Sequence, residues 1–143
     1  MHHIAPEVVS IADASLGGLQ GRSALVIGPE ELCHPYVNLL RRARMKYIYQ
    51  EETPARASYL LPYVQLLISV LGTSLPAAGE RRVSLLSAAT IAKGCDGRRT
   101  PLLIFDLAPF PSVEELAGLL PEVCLYTPDD LRHILTKLEV KAS

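Results

Sequence analysis

The sequence predicts a three-layer α/β domain on a mainly parallel sheet of about five strands. Three observations carry that expectation. Short, predominantly apolar runs (24–27, 64–71 and 102–107) alternate with segments whose apolar residues recur at helical spacing. Strands apolar along most of their length suit a sheet covered on both faces, and strand–helix alternation implies parallel units joined by right-handed crossovers. The first apolar run, moreover, ends at Gly28, and a helical pattern begins at once.

Each element has its own local reason. Pro6 opens a short helix to Leu16, because a first-turn proline loses no helical hydrogen bond; Val8, Ile11, Ala12 and Leu16 share its apolar face. Gly17-Gly18 ends it, and Gly21 leads into the first strand, 24–27. A helix over 31–43 follows, striped by Leu32, Tyr36, Leu39, Leu40 and Ala43. Glu30 and Glu31 at its start and Arg41, Arg42 and Arg44 at its end complement the helix dipole. The second strand, 46–50, carries Tyr47, Ile48 and Tyr49. A short helix over 54–61 leads through Pro62 to the strand at 64–71, which Gly72 ends.

Residues 74–80 read as a loop from their Pro and Gly, and Ser84 or Ser87 caps a helix running to Lys93, stopped by Gly94. A second loop, 97–101, precedes the strand 102–107, with Asp106 near its carboxyl end. Ser112 with Glu115 reads as a capping box. A short strand, 123–126, comes last, then a helix capped by Thr127, with Pro128 at its first position, Asp130 three residues after the cap, and Leu131, Ile134, Leu135 and Leu138 as its stripe. The division is one domain over 1–143: a leading helix within 1–18, an α/β core over 19–138 and a tail at 139–143. The expected core holds Leu25, Val26, Ile27, Leu39, Leu67, Ile68, Leu103, Ile104 and Phe105.

Composition bounds the function. At 143 residues with 49% apolar and 20% charged side chains, the chain has the makings of one folded domain. A net charge of −1 argues against a strong electrostatic nucleic-acid binder. No apolar run reaches the roughly 18 residues of a membrane span, and the first residues lack the basic and apolar regions of a signal peptide, so a cytoplasmic location is expected. Cys33, Cys95 and Cys124 are odd in number and lack metal-ligand spacing, which predicts reduced thiols and no metal site.

A strand–glycine–helix passage is where a Rossmann-like domain puts its phosphate loop, G-x-G-x-x-G. Here the passage reads Leu19-Gln-Gly-Arg-Ser-Ala-Leu-Val-Ile-Gly28, continuing Pro29-Glu-Glu-Leu32. It resembles the opening L-x-G-K-x-V-L-V-I-G-A-G-E-M of the glutamyl-tRNA reductase nucleotide-binding domain. Arg98-Arg-Thr-Pro-Leu-Leu-Ile-Phe-Asp-Leu-Ala108 and Leu120-Pro-Glu-Val-Cys-Leu-Tyr-Thr-Pro-Asp-Asp-Leu131 resemble that family's R-P-x-x-x-I-D-I-A-V-P-R-D and V-x-L-Y-x-x-D-D-L, and Leu67-Ile-Ser-Val-Leu-Gly72 its V-I-S-S-T-G. The strand–glycine–helix signal is generic; the Leu-Tyr…Asp-Asp-Leu ending is more specific. The resemblance spans about 8–138 and implies NADP or NAD as cofactor and a place in tetrapyrrole (haem) biosynthesis. The family's thioester-forming cysteine belongs to an N-terminal catalytic domain, and none of the three cysteines here matches it. The resemblance therefore does not imply reductase activity for this chain by itself.

The candidate crevice positions are Gly28, Pro29, Glu30, Glu51, Gly72 and Thr73. Of the three loop glycines only the first, which makes the tight turn, survives as Gly28; Glu30 and Cys33 hold the other two places. Pro29 has no amide hydrogen to offer a phosphate, and Glu30 sets a carboxylate where pyrophosphate belongs. Cys33 is small enough for moderately close packing. After the second strand, Gln50-Glu51-Glu52 offers acidity that suits an NAD ribose rather than a 2′-phosphate; a solvated acidic turn is the competing reading.

Only about a dozen residues separate the second strand from the run at 64–71, against roughly 30 for a crossover helix plus strand. The third strand of the usual pattern is therefore expected to be missing. That leaves 46–50 as a sheet edge, open to a homodimer or to a tetrapyrrole-pathway protein, unless the N-terminal segment covers it. Elsewhere, His34, His133 and the pair His2-His3 read as surface histidines before they read as ligands. Cys124 is expected inside the last strand and Cys95 exposed. Asp106 either contacts a ligand or caps the next turn, and Arg81-Arg82 and Arg98-Arg99 read as solvated loop charge.

Two functional readings remain open. One is a stand-alone NAD(P)-binding-fold protein serving tetrapyrrole synthesis without reductase chemistry by itself. The other is a degenerate, non-catalytic binding or assembly module that no longer holds a dinucleotide. A dehydrogenase of the methylenetetrahydrofolate type is a third reading, opposed by the Leu-Tyr…Asp-Asp-Leu ending.

Overall fold

The computed structural model describes residues 4–71, 85–107 and 111–142, with side chains described through Lys137. Five parallel strands lie in the order β2-β1-β3-β4-β5: β1 (Ser23–Ile27), β2 (Tyr47–Glu51), β3 (Leu66–Ser69), β4 (Leu102–Asp106) and β5 (Val123–Tyr126). The chain steps outward from β1 to β2, then crosses back to β3 on the other side of β1 and continues outward. β1, β3 and β4 are buried along their whole length, as their apolar runs require. Among the described residues no strand pairs outside β2, in line with the expected missing third strand.

Helices close both faces. Against one lie α1 (Ala5–Leu16), α2 (Glu30–Arg42) and the start of α5 (Pro128–Ala142), burying Val8, Ala12, Cys33, Leu40 and Leu131 against Val26, Ile68 and Phe105. Against the other lie α3 (Ala57–Leu60), α4 (Ala88–Gly94) and 3-10 turns at Pro54–Arg56, Leu61–Tyr63 and Glu115–Leu119, enclosing Leu25, Ile27, Leu67, Ile91 and Ile104. α1 packs against α2 and β4 on a sheet face, not along the free edge of β2.

Several expectations change. Leu39 is only half-buried, because Cys33, Val37 and Leu40 take the centre of the α2 face. Of the two candidate caps, Ser87 caps α4, its hydroxyl accepting the Thr90 N–H at 3.1 Å, and Ser84 lies outside the described residues. Cys95 is buried and Cys124 exposed, the reverse of the sequence reading. Cys95 follows α4 into the core, whereas Cys124 alternates away from buried Val123 on the edge strand β5. Arg98 is not solvated charge: its guanidinium donates to the Leu61 carbonyl at 2.9 Å and to that of Val64, tying the loop before β4 to the loop before β3. Arg99 is exposed, as expected, and Arg81-Arg82 lie outside the described residues. α5 continues to Ala142, through the segment expected as a tail.

Candidate crevice at the carboxyl edge of the sheet

The chain reverses its direction of winding between β1 and β3, and their carboxyl ends open the crevice where parallel α/β sheets place ligands. Gly28 sits at its floor. Its φ of +146° lies in the region that side chains avoid, and a Cβ there would stand 2.3 Å from Val70 Cγ2 and 3.2 Å from the Val70 carbonyl carbon and oxygen. The Gly28 N–H donates to the Glu51 carbonyl at 2.9 Å, while the Val70 N–H donates to the Ile27 carbonyl at 2.8 Å. The turn glycine is thus locked between the ends of β2 and β3, and the first function of the glycine loop is intact.

The rest of the loop is different. Pro29 stands at the N-cap of α2 with φ −56° and ψ 136°, and no side chain caps the helix. Its carbonyl accepts the N–H groups of Leu32 and Cys33, both at 3.0 Å. Glu30 and Glu31 occupy the exposed first turn, so the positive end of the dipole already faces two carboxylates of the chain itself. Cys33, at the third glycine position, is fully buried, with its thiol donating to the Gly28 carbonyl at 3.5 Å. Burial, and then the Glu30 charge, push its pKa up to about 11. That thiol is a packing group rather than a nucleophile.

Glu51 ends β2 opposite Ile27 and pairs with Arg56 at 3.0 Å. The Glu51 carboxylate is therefore held in an ion pair rather than simply solvated, while Glu52 beside it is exposed. Sequence reading missed Arg56; the signal was Thr53-Pro54, which starts the 3-10 turn that folds Arg56 back, with the Thr53 hydroxyl accepting the Ala55 N–H at 3.4 Å. Gly72 and Thr73 lie outside the described residues.

Asp106 caps the next turn. Its carboxylate, at the end of β4, accepts the N–H groups of Ser112 and Val113 at 2.8 and 2.9 Å and the Ser112 hydroxyl at 2.7 Å. The Ser112 and Ser69 hydroxyls meet at 2.7 Å, so all three side chains form one buried cluster beside the crevice. Burial outweighs these hydrogen bonds and raises the Asp106 pKa. The capping box expected at Ser112 does not form: the 3-10 turn begins at Glu115 with Glu114 at its N-cap, and Asp106 takes the Ser112 N–H that the Glu115 side chain would have accepted. His34 is exposed and within 3.1 Å of the Asn38 amide, and His133 is exposed. Among the described residues no group of three or more His, Cys, Asp or Glu is placed to hold a metal ion; His2 and His3 lie outside them.

A parallel sheet wound both ways from β1, with a glycine turn into a helix at the switch point, defines a Rossmann-like fold. No family model matches the sequence. Individual relatives do: the chain is 32% identical over 154 aligned residues to glutamyl-tRNA reductase of Methanospirillum hungatei, an alignment that takes in 92% of this chain and 35% of the relative. It is thus a relative of the glutamyl-tRNA reductases over about a third of their length, with the altered glycine loop described above. Among solved structures, glutamyl-tRNA reductase from Methanopyrus kandleri superposes with a TM-score of 0.75 at 20% identity, covering 94% of this chain and 37% of that one. A methylenetetrahydrofolate dehydrogenase-cyclohydrolase from Trypanosoma brucei, solved with NADP and an inhibitor, superposes with a TM-score of 0.56 at 13% identity over 85% of this chain and 41% of that one, a likeness of fold alone.

Proposed function

We propose that this chain serves tetrapyrrole biosynthesis as a counterpart of the reductase's cofactor domain, without carrying reductase chemistry by itself, and with its dinucleotide site impaired. The kinship with glutamyl-tRNA reductases supports the pathway. The observation that carries the impairment is the pair Pro29-Glu30 at the start of α2. A dinucleotide pyrophosphate would sit at this helix start, where Pro29 offers no N–H and Glu30 offers a negative charge. At about 4 Å separation the Glu30 repulsion lies between about 1 kcal/mol in bulk water and about 4 kcal/mol at an effective dielectric of 20. That weakens binding by roughly fivefold to a thousandfold.

The chain's thiols support the absence of reductase chemistry. Cys33 and Cys95 are buried with raised pKa values, and Cys124 lies on the far edge strand. The test is a gain of function. Restoring a reductase-like loop with Pro29→Ala and Glu30→Gly should strengthen NADPH or NADH binding at least about fivefold, while glutamyl-tRNA-dependent oxidation of NADPH stays undetectable for both proteins. Unchanged binding in the variant would refute the role given to Pro29-Glu30, and turnover by the original chain would refute the absence of reductase chemistry. The same two residues favour a second reading, in which the fold persists as a binding or assembly module for a pathway protein; NADPH or NADH binding at micromolar concentration would defeat it.

A further inference from the structure

We infer that the free edge of β2 is the interface of a two-fold homodimer in which one sheet runs through both copies. β2 lacks two of the devices that protect edge strands, a proline and a bulge. It contains no proline, and its pairing to β1 runs unbroken from Ser23↔Tyr47 to Ile27↔Glu51, with no bulge to twist the edge away. Its side chains are not those of a solvated edge either. Tyr47 is 54% exposed, its ring centroid lies 6.2 Å from that of Tyr49, and the Lys46 ammonium lies 5.5 Å from the centre of the Tyr47 ring. The opposite edge strand, β5, is bracketed by Pro121 and Pro128.

The strand is complementary to itself in one orientation only. Lys46 precedes it and Glu52 follows it, both exposed. Antiparallel pairing about a two-fold axis at Tyr49 sets Lys46 opposite Glu52 of the partner copy at both ends and Tyr49 opposite its own counterpart, with Tyr47 on the same face. Parallel pairing would set Lys46 against Lys46 and Glu52 against Glu52, like charges directly opposed. Antiparallel pairing also gives a closed, isologous contact, with no further edge of the same kind left open. The complementarity of these charges is what selects a second copy of this chain as the occupant.

Sedimentation velocity of the intact chain at micromolar concentration tests this, with circular dichroism confirming that each variant is folded. The expected result is a dimer, with dissociation made about tenfold easier by Lys46→Glu or Glu52→Lys alone and restored in the Lys46→Glu/Glu52→Lys double variant, since each single change places like charges at two symmetric contacts. In a Cys124→Ser background, Tyr49→Cys should form a disulfide-linked dimer on mild oxidation. A monomeric original chain, a dimer indifferent to the single charge changes, a double variant that fails to recover, or no disulfide at position 49 would each overturn the interface.

Discussion

Replacing Gly28 with alanine tests whether the turn at the crevice floor is held by backbone geometry and close packing together. At φ +146° a side chain costs about 1–3 kcal/mol in backbone strain. The added Cβ would stand 2.3 Å from Val70 Cγ2, a branched and stiff side chain, and 3.2 Å from the Val70 backbone, which adds an overpacking cost of about 1–3 kcal/mol. The sum, about 2–6 kcal/mol, is a large part of the total stability typical of natural domains, about 5–15 kcal/mol. Urea denaturation followed by circular dichroism reads it directly. Gly97→Ala is the control: φ is +71° there, but nothing lies within 4 Å, so only a backbone cost of about 1–2 kcal/mol applies. A double-mutant cycle with Val70→Ala should return part of the Gly28→Ala loss and leave the backbone part. If Gly28→Ala costs no more than Gly97→Ala, or Val70→Ala returns nothing, the packing argument is wrong.

Asp106→Ala should cost about 3–5 kcal/mol, because three buried donors lose their acceptor. Asp106→Asn should cost less than about 1.5 kcal/mol, since its carbonyl can take the two N–H groups and its amide can donate to the Ser112 hydroxyl. The pH dependence has a definite sign. The folded-state pKa of Asp106 is raised, so the folded protein binds this proton more tightly than the unfolded chain. The group's contribution to stability is therefore greatest at acid pH and falls as pH rises from the ordinary carboxylate value, about 4, through the raised folded value. Denaturation midpoints across that range should show the decline in the original chain and lose it in Asp106→Asn; parallel profiles would contradict it. For the thiols, native-state labelling with a disulfide reagent at mildly alkaline pH should modify Cys124 alone, because Cys33 and Cys95 are buried with raised pKa values. Labelling that persists at the native rate in Cys124→Ser would defeat that assignment.

What the sequence revealed, and what it hid, follows from the range of each interaction. The Thr127/Asp130 cap formed as its spacing requires, with the Thr127 N–H donating to Asp130 at 3.0 Å and the Asp130 N–H to the Thr127 hydroxyl at 3.1 Å, because both partners belong to one turn. The same spacing at Ser112 and Glu115 misled, because Asp106, brought in by β4, captured the serine first. β1 and β5 were legible from apolar runs between turn residues. The exposure of Cys95 and Cys124 was not, since it depends on how the end of α4 docks on the core and on which side of the edge strand β5 a residue points. In the crevice, Gly28, Pro29 and Glu30 stand where the motif spacing put them. The close approach of Val70 to Gly28 and the Glu51–Arg56 pair arise only once β2 and β3 flank β1. The shortened stretch before β3 predicted the edge position of β2, because chain length alone sets that limit.

We propose that the fold has kept the glycine turn and that Pro29 and Glu30 impair its dinucleotide site. Isothermal titration of the intact chain with NADPH, and separately with NADH, addresses it most directly. The expected result is no saturable heat with either ligand at micromolar concentration. Micromolar binding of either one would contradict it.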